Sequence, residues 1–231
     1  MFPVSPTIMA TCILLTLATY GLMVSLLPGY KSKINHNILA ILLLLWIIFQ
    51  STLALNGWYM NYRTPLPHWL FPYLSCVLLL FLAWRKPFEF EYSLQTLLAH
   101  LLAACRIGIA INLWQLLSAA QLSRTIFSVA IYIDIIWGSA ALLQAFPAIR
   151  KMLGSHLKKW WHYAGALSVF ALMTVAWFTA PGTWQALSFE RPNYAFMHFP
   201  FIWLATIVWP ACAWAHLILA KKPILPVFSR Q

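Results

Sequence analysis

The sequence predicts an all-α fold: a polytopic membrane protein whose single domain, residues 1–231, is a bundle of seven transmembrane helices. Three observations predict it. Hydrophobic residues make up 62% of the chain and charged residues 8%, whereas a soluble domain is about half apolar and about a quarter charged. The apolar residues form seven runs of membrane-spanning length. Lysine and arginine fall in alternate connections between these runs, which places the N-terminus outside and the C-terminus in the cytoplasm.

The seven apolar runs define the predicted helices. About twenty apolar residues, rising ~1.5 Å each, cross a hydrocarbon core of ~30 Å. The third run is the shortest and has Pro72 in its first turn, and Pro210 predicts a kink in the seventh because proline removes a backbone donor. The first run is too long for a signal peptide, so we expect it to be retained. The predicted spans are 7–27, 36–57, 68–84, 94–118, 125–146, 162–180 and 198–219.

The basic residues predict the orientation. Only Arg63, Arg124 and Arg191 lie in the connections assigned to the outside. The net charge of +11 therefore reflects topology and contact with anionic lipid on the cytoplasmic side, and we predict no nucleic-acid partner. Eleven basic residues lie in the odd-numbered connections and the tail: Lys31, Lys33, Arg85, Lys86, Arg150, Lys151, Lys158, Lys159, Lys221, Lys222 and Arg230.

Two charged residues inside the spans mark a candidate site. Arg106 lies ~18 Å into the fourth span and Asp134 ~15 Å into the fifth, at ~1.5 Å per residue. Because these helices are antiparallel neighbours, we expect an ion pair near the midplane. The pair either fixes helix packing or lines a polar cavity in which Arg106 also binds an anionic ligand. Asn112 and Trp114 continue the fourth span outward and are further candidates for binding.

A second candidate region is the longest external connection, residues 181–197. Its composition predicts either a short interfacial helix or a lid over an outward-facing pocket. Asn193 lies within it and His198 directly after it, and both are candidate binding residues. With Glu190 and Arg191 they are also the candidates for an enzyme site at the external face.

Several chemistries of membrane proteins are disfavoured. A retinal protein needs a lysine midway along the last span, where only Lys221 and Lys222 occur, at its end. His198 and His216 are ~27 Å apart along one helix, too far to share a metal. His100 is the only histidine that we expect deep in the bundle, which disfavours a haem with two axial histidines. We therefore predict no cofactor, no metal and no intramembrane catalytic site. No metal-ligand spacing links Cys12, Cys76, Cys105 and Cys212.

Several motifs resemble a family of uncharacterised bacterial seven-helix membrane proteins. The fourth span contains Arg106-Ile107 followed by Leu113-Trp114, and the fifth contains Asp134. Before and within the seventh span, the chain reads Phe-Glu-Arg-Pro-Asn at 189–193 and His-Phe-Pro-Phe-Ile-Trp at 198–203. The resemblance implies a bacterial inner membrane. The family usually has Glu where this chain has Asn112, which leaves Asp134 as the only deep acid.

Three functions stay open. The leading one is binding or transport of a small ligand or solute, and a midplane cavity lined by Arg106, Asn112 and Asp134 would favour it. The second is a non-transporting accessory or assembly subunit, favoured by a close-packed interior and a large apolar groove between helices. The third is an enzyme with an external cleft. The expected partners are the lipid bilayer and a small anionic ligand, and the sequence does not predict an oligomeric state.

Overall fold

The computed structural model describes residues 4–29, 36–60, 66–85, 93–182 and 185–221. All regular secondary structure within these ranges is helical. The last α-helix is preceded by a π-helical turn, Leu204–Val208, and the two form one helical segment from Ile202 to Ala220. The α-helices are α1 (Pro6–Leu26), α2 (His36–Leu55), α3 (Leu66–Arg85), α4 (Ser93–Ser118), α5 (Arg124–Ala145), α6 (Pro147–Met152), α7 (Ser155–Thr179) and α8 (Trp209–Ala220).

Five described helices are long and apolar enough to cross a membrane: α1, α2, α7 and most of α4 and α5. Two shorter apolar stretches, Leu70–Leu79 and Leu204–Ala220, lie in α3 and in the last helical segment. The chain thus has the composition of a multi-pass membrane protein. The basic residues Lys31, Lys33, Arg63, Lys86, Lys222 and Arg230 lie outside the described residues.

Three helix starts differ from the predicted ones by two residues or more. Helix α3 begins at Leu66, which places Pro72 inside the helix instead of in its first turn. Helix α7 begins at Ser155, seven residues before the predicted start, and includes Lys158 and Lys159. Long lysine side chains reach away from a helix axis, so a basic pair does not end a helix. The last helical segment begins at Ile202, four residues later than predicted.

The last helical segment forms the centre of the bundle. Every residue from 201 to 220 is buried except Leu217, which is half-buried. A helix that is apolar on all sides is covered on all sides, and α1, α3, α4 and α7 pack around this one. Helix α2 is peripheral by contrast and exposes large apolar side chains, including Ile41, Leu45 and Ile48. The positions of α4, α5, α7 and the central segment determine which polar side chains meet.

The segment that follows α7, residues 185–197, folds back onto the end of that helix. The backbone N–H groups of Ala186 and Leu187 donate to the Phe178 carbonyl, and that of Asn193 donates to Thr179. The last carbonyls of a helix lack intrahelical donors, and this segment supplies them. Its only helical turn among the described residues is the 3₁₀ turn Ala195–Met197, so a short interfacial helix at 185–194 is not formed.

Candidate functional site

Arg106 and Asp134 form the predicted ion pair. The Arg106 Nε donates to Asp134 Oδ1 at 2.6 Å, and both side chains are 0% exposed. The guanidinium is bound to the carboxylate through Nε alone, so neither of its terminal nitrogens is bonded to Asp134. A charge buried this completely needs several polar partners, because isolated charges are unstable in an apolar interior.

Two further helical segments supply those partners. Arg106 Nη1 donates to the Gly165 carbonyl at 3.1 Å and to Ser168 Oγ at 2.8 Å, both on α7. Trp209 Nε1, at the start of α8, donates to Asp134 Oδ2 at 3.2 Å. Four helices, α4, α5, α7 and α8, therefore meet at the ion pair, and each contributes at least one hydrogen-bonding group.

Two glycines permit this close approach. A Cβ at Gly138 on α5 would lie 2.8 Å from Ile107 Cγ1 and 2.9 Å from the Ile107 backbone nitrogen. A Cβ at Gly165 on α7 would lie 2.8 to 2.9 Å from three atoms of the His216 ring. Small residues of this kind let membrane helices pack backbone against backbone. Both glycines lie beside the ion pair, since Gly138 also approaches Arg106 Cβ and Gly165 accepts from Nη1.

A cluster of buried histidines adjoins the pair, and the expectation that His100 is the only deep histidine was wrong. His162 and His216 are 3% and 0% exposed, with their Nδ1 atoms 3.0 Å apart. The His100 ring lies 5.6 Å from that of His162. Among the described residues, no group of three or more His, Cys, Asp or Glu is arranged to hold a metal ion.

Four buried hydrogen-bonding atoms in this part of the bundle have no partner among the described residues. The Arg106 guanidinium uses all three hydrogens of Nε and Nη1, while Nη2 has no acceptor among the described residues. His216 Nε2 and Trp161 Nε1 are likewise buried and unsatisfied there, as is Gln144 Oε1. The atoms belong to one region, because Trp137 packs 4.2 Å from Trp161 and 6.3 Å from His216 by ring centroids. Gln144 follows Trp137 by two helical turns, on the same face of α5.

Asn112 and Trp114 lie apart from the ion pair. The Asn112 side chain is buried, donates to the Gly108 carbonyl and accepts from Thr11 of α1 at 3.3 Å. Gln115 accepts from the same threonine hydroxyl, so this face of α4 is turned toward α1. Trp114 is 61% exposed on the outside of the bundle. Of the residues predicted in the fourth and fifth spans, only Arg106 and Asp134 are brought together.

The candidate residues in and directly after the segment that follows α7 are divided between interior and surface. Asn193 is 0% exposed, donates to the Ala176 carbonyl and accepts from the Phe196 N–H. His198 is half-buried, and this burial lowers its pKa below the ordinary value. Glu190 and Arg191 are exposed. The segment holds the end of α7 in place instead of gathering these four side chains. Phe196 and Met197 line a cavity of about 30 Å³, enough for about one water molecule.

A larger groove opens elsewhere on the bundle. It has a volume of about 430 Å³ and lies between α1, α2, α3 and the π turn. Trp46 lines this groove, and its indole N–H already donates to Ser75 Oγ and to the Thr206 carbonyl. The remaining walls are largely aliphatic, with Leu42, Leu43 and Leu78 among them. This apolar lining suits hydrocarbon and offers nothing to an anion.

Comparisons of the chain with protein-family models, with curated proteins and with solved structures found no match. The resemblance to a bacterial seven-helix family thus stays a prediction.

Proposed function

We propose that this chain is a seven-span protein of a bacterial inner membrane that binds a small anionic solute within the bundle and carries it across. The binding group is Arg106, held by Asp134. The observation that supports this proposal is the set of buried polar atoms without hydrogen-bond partners at Arg106 Nη2, His216 Nε2, Trp161 Nε1 and Gln144 Oε1.

The free end of Arg106 is suited to an anion. Its Nη2 carries two hydrogens with no acceptor among the described residues. A buried donor left unsatisfied costs ~1–3 kcal/mol, and a carboxylate or oxyanion accepts from a guanidinium with good geometry. Because Asp134 binds only Nε, an anion at Nη2 does not have to displace it.

The neighbouring polar atoms extend this site toward one end of the bundle. His216 lies near the end of α8, and Trp161 lies near the start of α7. Buried polar atoms of this kind are usually satisfied by water. A hydrated passage from this end to Arg106 gives a small solute a route that avoids hydrocarbon.

The irregular central helix supports the same function. The π turn ends at Val208, and the next residue, Trp209, holds Asp134. Helical π turns are frequent at functional sites, and transporters place solutes beside interrupted helices in the middle of the bundle. An interruption next to the only buried ion pair among the described residues is consistent with a carrier.

Ligand-dependent stability tests this function. Purified protein in detergent is heated with acetate, nitrate or inorganic phosphate at constant ionic strength. We expect at least one anion to raise Tm in a concentration-dependent way, since a ligand at ~100 times its Kd stabilises the fold by ~2.7 kcal/mol. The variant Arg106→Gln/Asp134→Asn removes both charges together and leaves no unpaired buried ion. It should lose the response.

The matched control is Arg124→Gln, which removes an exposed arginine at the start of α5 and should respond as the wild type does. Failure of all three anions to shift the wild-type Tm would contradict the proposal. An equal shift in the wild type and the double variant would contradict it too.

One observation favours the second candidate function, an accessory or assembly subunit in which the pair is architectural. Arg106 and Asp134 are 0% exposed and tightly packed, and the large groove between helices is apolar. In that case the double variant changes stability alone, and no anion distinguishes it from the wild type. Replacing a buried pair by neutral groups is often nearly neutral for stability, so the two functions differ in the ligand response.

A further inference from the structure

We infer that the solute site takes up one proton together with its anion, and that the His162–His216 pair holds this proton. The inference rests on the proposed function and names its coupling ion. It starts from one contact, the two Nδ1 atoms 3.0 Å apart.

That contact fixes how many protons the pair can hold. One Nδ1 must carry a hydrogen and donate it, and the other must accept it with its lone pair. In the neutral pair, the donating ring therefore has a deprotonated Nε2, and the accepting ring has a protonated Nε2. The pair has room for one more proton, at the Nε2 of the donating ring. His216 Nε2 has no hydrogen-bond partner among the described residues, so this end of the pair is open.

Gly165 connects the histidine pair to the anion site. The His216 ring lies against the Cα of Gly165, within 2.9 Å of where a Cβ would stand. The carbonyl of the same glycine accepts from Arg106 Nη1 at 3.1 Å. The arginine and the histidine thus both contact Gly165. An anion at the free end of Arg106 lies close enough to His216 for their charges to interact strongly in a buried environment.

The surrounding charges make proton and anion binding interdependent. The titratable and charged groups near the pair are His100 and Arg106 from α4, Asp134 from α5 and Cys212, one turn before His216 on α8. Arg106 and Asp134 cancel, so an anion alone adds a negative charge to the interior. A proton alone on the histidines adds a positive charge beside Arg106. Bound together, they leave the interior neutral and avoid most of the cost of a buried charge.

The alternative proton acceptor, Asp134, already accepts one hydrogen bond at each oxygen. Its Oδ1 accepts from Arg106 and its Oδ2 from Trp209. A proton on Asp134 would neutralise the carboxylate and break the ion pair with Arg106. A proton on the histidine pair breaks no hydrogen bond. The step is a transfer of one proton from solvent to an imidazole nitrogen. One N–H bond forms and no electrons are transferred.

Calorimetry in two buffers measures the number of protons taken up per bound anion. The binding enthalpy of acetate is measured near neutral pH in Hepes and in Tris, whose ionisation enthalpies differ. The buffer dependence gives the number of protons taken up. We expect about one proton per anion in the wild type and about none in the double variant His162→Gln/His216→Gln, because either histidine alone could still take up a proton. Acetate affinity should fall about tenfold per pH unit in alkaline solution for the wild type and stay nearly constant for the variant.

The matched control is His156→Gln, an exposed histidine on the same helix, which should take up the proton as the wild type does. Should the double variant fold poorly, the single variants His162→Gln and His216→Gln, which should each weaken proton uptake, provide the test. Acetate binding without proton uptake in the wild type overturns the inference and leaves the proposed function intact. Proton uptake that survives undiminished in the double variant also overturns it. If acetate, nitrate and phosphate all fail to bind the wild type, the proposed function is wrong and the inference falls with it.

Discussion

Two glycines set the spacing of the polar site at the residue scale. At Gly138, a Cβ would come within 2.9 Å of the backbone nitrogen of Ile107, and backbone cannot rotate away as a side chain can. We therefore expect Gly138→Ala to separate α4 from α5 and to lower the free energy of unfolding by ~1–3 kcal/mol, the range for overpacked interiors. Denaturation in SDS followed by circular dichroism measures this.

Gly21→Ala provides the comparison for that substitution. Gly21 lies in α1 with no heavy atom within 4 Å of the added Cβ. Alanine is the better helix former by ~1 kcal/mol, so this variant should be as stable as the wild type or more so. Equal losses at the two positions would mean that crowding at Gly138 is not the cause.

The residues of the site were only partly predictable from the sequence. Arg106 and Asp134 could be paired because ionisable residues in apolar helices need partners. His162 was missed because the sixth span was predicted to begin at that residue, and α7 begins two turns earlier. A usable signal was present: His100 and His216 lie at comparable distances from the ends of their spans. The contact between Gly165 and His216 depends on three-dimensional packing and leaves no trace in the sequence.

The interrupted central helix is the main feature at the element scale. Pro210 has no N–H, so the Thr206 carbonyl four residues earlier loses its helical donor. Trp46 of α2 donates to that carbonyl instead, at 3.3 Å. We expect Trp46→Phe to leave a buried acceptor unsatisfied and to reduce the free energy of unfolding by ~1–3 kcal/mol. Thermal unfolding followed by circular dichroism measures the loss.

A double-mutant cycle identifies the cause of that loss. Pro210→Ala restores a backbone N–H near Thr206, so Trp46→Phe should cost less when made in this background. The control is Trp160→Phe, which makes the same exchange of an indole for a phenyl ring at a tryptophan that is 70% exposed. Costs that simply add in the double variant would show that Trp46 and Pro210 act independently.

Proline at position 210 predicted an irregularity in the last span, but not its form. A kink and a π turn both relieve a missing donor, and the sequence of the span itself does not choose between them. The side chain that donates to the Thr206 carbonyl, Trp46, comes from another helix. Helix positions are thus more predictable here than their internal geometry, because apolar runs are local and the partners of an irregular turn are not.

The whole molecule is organised around one helical segment that is buried except at Leu217, with basic residues gathered near one connection. Arg150 and Lys151 lie in the last turn of α6, and Lys158 and Lys159 lie in the first turns of α7. These residues are suited to the cytoplasmic face and to anionic lipid. The connection between α4 and α5 should then lie on the outside, because α5 crosses the membrane between it and the basic connection.

Labelling of single cysteines tests this orientation. Ala119→Cys, after α4, and Gly154→Cys, before α7, both introduce a thiol at an exposed position. We expect a membrane-impermeant maleimide to label Ala119→Cys in intact spheroplasts and Gly154→Cys only after permeabilisation. The wild type is the control, since Cys12, Cys76 and Cys212 are buried and Cys105 is half-buried within α4. The reverse labelling pattern would show that the protein has the opposite orientation. A C-terminal green fluorescent protein that failed to fluoresce would place the tail outside and contradict the seven-span arrangement.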